Sequence, residues 1–234
     1  MAMYGVEAFV LSSSDVGEYD RMYSLLTKEL GKVRAVARSV RKSAAKLAGH
    51  LDVPNKSWVE LVPTSKGWQV TRALEQESFH AMRSDRAALS AVLSSARFMD
   101  AFVHEMRDQE LFGLWGHFLS RLSQAAEQDN GRVALVAAQF KLRALSLFGF
   151  LPDLSACSSC EQKFTDSHAQ LFMHGIWCAT CSARQHVRGL RVSTAALAEA
   201  WSAAQGTWLE MSAHVEDMRM IAGHFERQAR QYMV

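Results

Sequence analysis

Cys157-Ser-Ser-Cys160, seventeen further residues, then Cys178-Ala-Thr-Cys181 form the stretch that decides how the C-terminal half must fold. Each C-x-x-C turn brings two sulfurs to one point, and two such turns at this separation read as a zinc ribbon or knuckle. Four thiolates fill a tetrahedral shell and leave no place for water or substrate. The expected role is therefore a structural clamp holding one Zn²⁺, with Cys157, Cys160, Cys178 and Cys181 as the ligands. Two independent pairs, redox-active or disulfide-bonded, are the alternative. A redox C-x-x-C opens a helix in a βαβ unit, and no such pattern surrounds these residues. Disulfides need an oxidising compartment. The opening Met-Ala-Met-Tyr-Gly has no basic region followed by an apolar core, so a cytoplasmic protein is expected.

Upstream of the cysteines the pattern is helical. Ala88, Val92, Leu93, Ala96, Met99, Phe102, Val103 and Met106 recur at three- and four-residue steps, predicting one long amphipathic helix. A second helix is expected over 111–126. After a break at Asn130-Gly131, a third runs over 133–148 and stops at Gly149, with Pro152 beyond. Past the cysteines, Ser193 or Thr194 can cap a helix through Ala204, and Ser212 one towards Arg230.

The first eighty residues read as β. Strands are expected at 4–12, 19–27, 32–38, 57–62 and 68–74, the last two joined by the hairpin turn Pro63-Thr64-Ser65-Lys66-Gly67. Five short antiparallel strands in so few residues fit a small barrel of the OB type. The fold class is thus α+β: an N-terminal OB-type β-barrel, then an α-helical domain with an inserted four-cysteine zinc module. The expected domains are a nucleic-acid-binding barrel over 1–80, a helical bundle over 81–155 and 187–234, and the zinc module over 156–186.

Net charge is only +2, but its distribution is uneven. Gly31 to Leu51 contains no acid and carries Lys32, Arg34, Arg38, Arg41, Lys42 and Lys46. A second acid-free window, Ser167 to Ala198, holds Arg184, Arg188 and Arg191 beside several histidines. Two basic windows in a nearly neutral chain point to a polyanion. Along the third strand, alternation sends Val33, Ala35 and Ala37 inward and Lys32, Arg34 and Arg38 outward, at a spacing close to that of nucleic-acid phosphates. An edge strand made basic against aggregation is the competing reading. Tyr19, Trp58 and Trp68 are either stacking platforms or barrel core. His168, His174 and His186 are read as surface residues. No nucleotide-binding loop, H-E-x-x-H or G-x-S-x-G occurs, which argues against an enzyme. No apolar run approaches the ~18 residues of a membrane span.

This module order resembles that of the bacterial recombination mediator family RecO. Local stretches carry the resemblance: Gly5-Val6-Glu7-Ala8-Phe9-Val10-Leu11, Leu26 to Arg34 with Ala37-Arg38, Ser43 to Leu51, and Phe140-Lys141-Leu142-Arg143-Ala144-Leu145 through Phe148-Gly149-Phe150-Leu151-Pro152. It spans most of the chain to about Cys181 and thins beyond. Ser39 stands where the family usually has glycine, so a differently shaped turn is expected there. No basic tail follows the last helix in this sequence, so no tail contribution to binding is expected from it. Some family members lack the cysteines, which fits a structural role for the metal.

The resemblance implies a DNA repair protein that binds single- and double-stranded DNA, anneals complementary strands and helps load recombinase onto strands coated by single-strand-binding protein. RecR and the acidic, apolar C-terminal tail of single-strand-binding protein are the implied partners. For that tail an apolar slot with a cation at its mouth is expected on the third helix, at Phe140, Lys141 and Arg143. The alternative function is an OB plus zinc-ribbon RNA-binding regulatory module.

Overall fold

The computed structural model describes residues 2–42, 47–128, 130–172, 175–186 and 188–232. Five strands, β1 (Tyr4–Val16), β2 (Asp20–Thr27), β3 (Gly31–Ala37), β4 (Lys56–Thr64) and β5 (Gly67–Glu77), close in the order β1-β2-β3-β5-β4. Neighbours are antiparallel except β3 and β5, which run parallel, and β1 closes the barrel on β4. Alternation drives this closure. Val33, Ala35 and Ala37 of β3 and Val59 and Leu61 of β4 point into the buried interior, while the intervening residues face outward. The β1–β2 hairpin is longer than the sequence implied. Its strands pair through Ser13↔Tyr23 to Val16↔Asp20, so most of the gap between the strands expected at 4–12 and 19–27 is itself strand.

Three helices follow: α1 (His80–Ser84), α2 (Arg86–Phe102) and α3 (Gln109–Ala126). Asp85 and Asp108 cap α2 and α3, accepting from the N–H groups of Ala88 (2.6 Å) and Leu111 (2.9 Å). The helix expected to reach Met106 ends at Phe102, and Met106 is exposed. Tertiary contact stops it: the His104 carbonyl accepts from Lys32 N–H at 3.4 Å. Gly31, at φ 72°, leaves no room for a Cβ against the Met106 backbone.

After α4 (Asn130–Leu147) come β6 (His168–Phe172), β7 (Gly175–Cys178), α5 (Ala179–Arg184), β8 (Leu190–Ser193), α6 (Thr194–Ala204) and α7 (Val215–Gln231). The short strands form an antiparallel sheet in the order β7-β6-β8. Ser193 ends β8 and caps α6 in one step, accepting from Ala196 N–H at 3.3 Å. The last helix begins at Val215 without a side-chain cap; Ser212 instead accepts from His214 N–H just before it. Helix α4 packs against both α6 and α7, burying Phe140, Leu145, Leu197, Ile221 and Phe225. By contacts the chain divides into two compact units, 1–127 and 128–234. The expected boundary near residue 80 therefore separates barrel from helices inside the first unit. Among the described residues no helix is long and apolar enough to cross a membrane.

Candidate metal centre and nucleic-acid interface

The two C-x-x-C turns are built differently and meet at one point. The first is a tight loop. Cys157 N–H donates to Gln162 O (2.9 Å), and Glu161 N–H donates to Cys157 O (2.8 Å) with Glu161 at φ 60°. Ser158 then ties this loop to β7 twice, donating N–H to Ile176 O (2.8 Å) and accepting Ile176 N–H on its hydroxyl (3.0 Å). Glycine is required at 175, where φ is 143° and any Cβ would collide with the Ser158 hydroxyl. The second turn opens α5, and Cys178 Sγ accepts from Cys181 N–H at 3.4 Å.

All four sulfurs lie within 4.8 Å of one another, and all four cysteines are free thiols. Sulfurs tetrahedrally placed ~2.3 Å from a metal stand about 3.8 Å apart, so this cluster fits a metal better than two separate bonded pairs. The electrostatics agree. Burial pushes the Cys157 thiol up, but backbone N–H groups of Cys178, Cys160 and Ser159 outweigh it and bring it down to about 6. The Ser159 hydroxyl favours the thiolate of Cys181, yet the thiols of Cys178, Cys160 and Cys157 push it up to about 12. The cluster thus accepts part of its negative charge readily and resists the rest, which is what a cation at its centre relieves.

On the barrel, β3 pairs with β2 along its length and with β5 only at Ala35–Ala37, so the barrel closes at the end of β3 nearest Arg38, while Arg34 lies just before the paired stretch. Arg34 is exposed on the outer face of β3, as alternation requires, and Arg38, expected as the strand's last residue, is exposed in the turn that follows Ala37. Lys32 departs from expectation: its ammonium donates to the Asp100 carbonyl of α2 at 2.7 Å and is partly buried. Asp100 is itself held by Ser12 and Ser24, which fixes α2 against this face.

Arg41 and Lys42 serve a second purpose. The Arg41 guanidinium donates to Glu18 O (3.0 Å) and pairs with Asp15 (3.4 Å), which also binds Arg21 at 2.9 Å. The Lys42 ammonium sits 5.0 Å from the Tyr19 ring centre. Together with Arg41 N–H on Tyr19 O (3.0 Å), these contacts fasten the β1–β2 turn to the loop after β3 as one rim. Sequence reading missed this because Asp15, Glu18 and Asp20 stand before the acid-free window and join it only through strand pairing. Lys46 lies outside the described residues.

Ser39 takes φ 54°, the left-handed conformation a glycine would adopt, and donates its N–H to Asp20 Oδ1 at 2.7 Å. Ser39 thus holds a conformation that glycine adopts without a steric penalty. Ser39→Gly is expected to stabilise the protein by about 1 kcal/mol by removing the Cβ conflict. A rise in the urea midpoint at unchanged slope checks this; a fall disproves it.

Of the three aromatic candidates, Tyr19 is 44% exposed on the rim. Trp68 packs on the barrel core and meets Tyr4 edge-on, with ring centres 5.4 Å apart. Trp58 sits over Gly5, where a Cβ would stand 2.7 Å from its ring. The expected slot on the third helix is not open. Phe140 is fully buried in the core, Lys141 pairs with Glu226 at 2.8 Å, and Arg143 donates to Ala204 O at 2.8 Å. Burial pushes the Glu226 carboxyl up, but hydrogen bonds and charge from Lys141 and Arg230 hold it below the usual range. Alternation at helical spacing could not tell this inner face from an outer one. His186 is exposed, His168 half-buried, and His174 lies outside the described residues.

Comparison with known proteins agrees with this architecture. The family models described as Recombination protein O N terminal and Recombination protein O C terminal match residues 1–72 and 83–216. A DNA repair protein RecO from Myxococcus xanthus is 31% identical over 192 residues, covering 79% of this chain and 75% of the relative. Another, from Dehalococcoides mccartyi strain ATCC BAA-2266, is 31% identical over 197 residues, covering 83% and 75%. The RecO of Heliobacterium modesticaldum is 34% identical over 166 residues, 69% of this chain, and the match spans 57% of that relative's length. Matches to both halves of the family, over most of the chain, make it a member of the RecO family.

Proposed function

We propose that this chain is a DNA-binding recombination mediator in DNA repair. In this reading it binds single- and double-stranded DNA, anneals complementary strands and assists recombinase loading on strands coated by single-strand-binding protein. The observation that carries it is the exposed pair Arg34 on the outer face of β3 and Arg38 in the turn after it, beside a rim where Arg41, Lys42 and the exposed Tyr19 are locked together. Cations at strand spacing lower the repulsion between two phosphate backbones, which is the barrier to annealing, and no catalytic group is needed.

The cysteine cluster holds one structural Zn²⁺ in this reading. RecR and the tail of single-strand-binding protein are its partners, with the tail seated elsewhere than on the buried side of α4. A cytoplasmic location follows from the same role. Annealing of complementary DNA oligonucleotides tests it. The chain is expected to accelerate annealing several-fold at ~50 mM salt, and Arg34→Ala with Arg38→Ala to abolish most of that gain. Equal acceleration by variant and wild type, or tight binding to RNA with no DNA annealing, refutes the reading.

A further inference from the structure

The second acid-free window finds its place on the small sheet. Ala169, Leu171, Ile176 and Val192 are buried, so alternation puts the other residues of these strands on the opposite face. There Gln170 stands in the middle strand, opposite Trp177 on β7 and Arg191 on β8. Phe172 lies beside Trp177, with ring centres 4.6 Å apart and both rings half-buried. Gly189 makes this possible, since a Cβ there would stand 3.0 Å from the Phe172 ring and closer still to the Leu171 carbonyl.

The polar groups on this face are oriented as donors. Arg191 can only donate, and its Nη2 lies 3.0 Å from His168 Nδ1, which Ser167 Oγ also approaches at 2.8 Å. His168 Nδ1 therefore accepts, leaving Nε2 to carry the ring proton. Gln170 Oε1 is taken by Gly189 N–H at 2.7 Å, so its amide presents N–H groups. Arg191, His168, Gln170 and Ser167 line a groove of ≈ 340 Å³, with the Asp166 carboxylate on its wall and Trp177 paired with Gln170 beside it. From Ser167 to Ala198 no other acid follows.

We infer that this face is a second binding surface for single-stranded nucleic acid, separate from the barrel. Trp177 and Phe172 stack a base, while Arg191, His168 and Gln170 hold the adjoining phosphate. A wall with more donors than carboxylates suits a phosphate, and an aromatic platform next to it suits a base on the same strand. An acidic peptide would use the donors but leave the rings without a role.

The test is binding of a dT oligonucleotide to the full chain, followed by anisotropy, with metal content and circular dichroism as fold controls. Trp177→Leu keeps apolar bulk but loses the π-face, and is expected to weaken binding roughly tenfold. Trp177→Phe should recover most of that loss, and Arg191→Ala should lower the salt slope by about 0.7. Full affinity in all three variants overturns the proposal. So does equal loss with Leu and Phe, which would mean packing and not stacking.

Unmodified protein gives an arm independent of folding. Irradiation with a 5-iodouracil oligonucleotide should yield adducts at Trp177 or Phe172, and adducts confined to residues 1–77 overturn the inference. Should the Arg34 and Arg38 variant bind like wild type while Trp177→Leu loses affinity, the barrel reading alone fails.

Discussion

Cys178→Ser is expected to unfold the region around residues 156–193 while leaving the barrel folded. Cys178 does three things at once: it offers a sulfur to the cluster, ends β7 opposite Ala169, and caps α5 through its Sγ. The module has little else to hold it. Its strands are four or five residues long, and its buried side chains amount to a handful, including Leu171, Ile176 and Val192. Segments of fewer than about 40 residues rarely bury enough surface to fold without a metal or disulfides. Structural zinc in comparable peptides contributes on the order of 10 to 16 kcal/mol, far beyond what these contacts could replace. Elemental analysis should give one zinc per wild-type chain. Hydrogen exchange should show lost protection in β6, β7 and β8 of the variant, with β1 to β5 unchanged. Zinc-free protein from a chelator-free preparation, or full protection in the variant, would defeat the assignment.

The double variant Arg34→Ala, Arg38→Ala should lose about half of the salt sensitivity of DNA binding. Four cations remain candidates on this face of the barrel: Arg34, Arg38, Arg41 and Lys42. If each neutralises one phosphate of a single strand at ~0.7 per contact, the slope of log affinity against log salt is about −3. Raising salt from ~50 to ~200 mM then weakens wild-type binding about fiftyfold. Removing two contacts brings the slope to about −1.4 and the loss to roughly sevenfold. The effect should be the same for any sequence, because phosphates carry no sequence information. Stability should move by less than about 0.5 kcal/mol, since both side chains are exposed and neither takes part in the barrel interior. An unchanged slope would move the DNA surface away from β3.

Where the sequence was read correctly, the cause was local. Period-two alternation in Val33, Ala35 and Ala37 assigns an inner face, and Arg34 an outer one, whatever the partner strands are. The spacing of Cys157, Cys160, Cys178 and Cys181 specifies a four-sulfur cluster because each turn positions its own pair. Ser193 caps α6 as expected, since a cap needs only the three residues after it.

What failed depended on residues distant in sequence. Apolar Val103 and Met106 extend the helical period past Phe102, yet β3 takes the His104 carbonyl and leaves Met106 exposed. Lys32 has the same outward direction as Arg34, but the approach of α2 turns its ammonium to the Asp100 carbonyl. Phe140 could equally have faced solvent until α6 and α7 covered α4. The pairing of Asp15 with Arg21 and Arg41 exists only because β1 and β2 form a long hairpin against the loop after β3.

By itself, then, the sequence determined the five strands of the barrel, the sulfur cluster and the presence of two basic windows, but not the small sheet of β6, β7 and β8. These follow from backbone periodicity and from ligand chemistry within a few bonds. Only the tertiary structure decided which cations stay free and where the second basic window lies. Whether a charge faces solvent, a carbonyl or a carboxylate depends on which element packs above it, and local sequence holds no record of that neighbour.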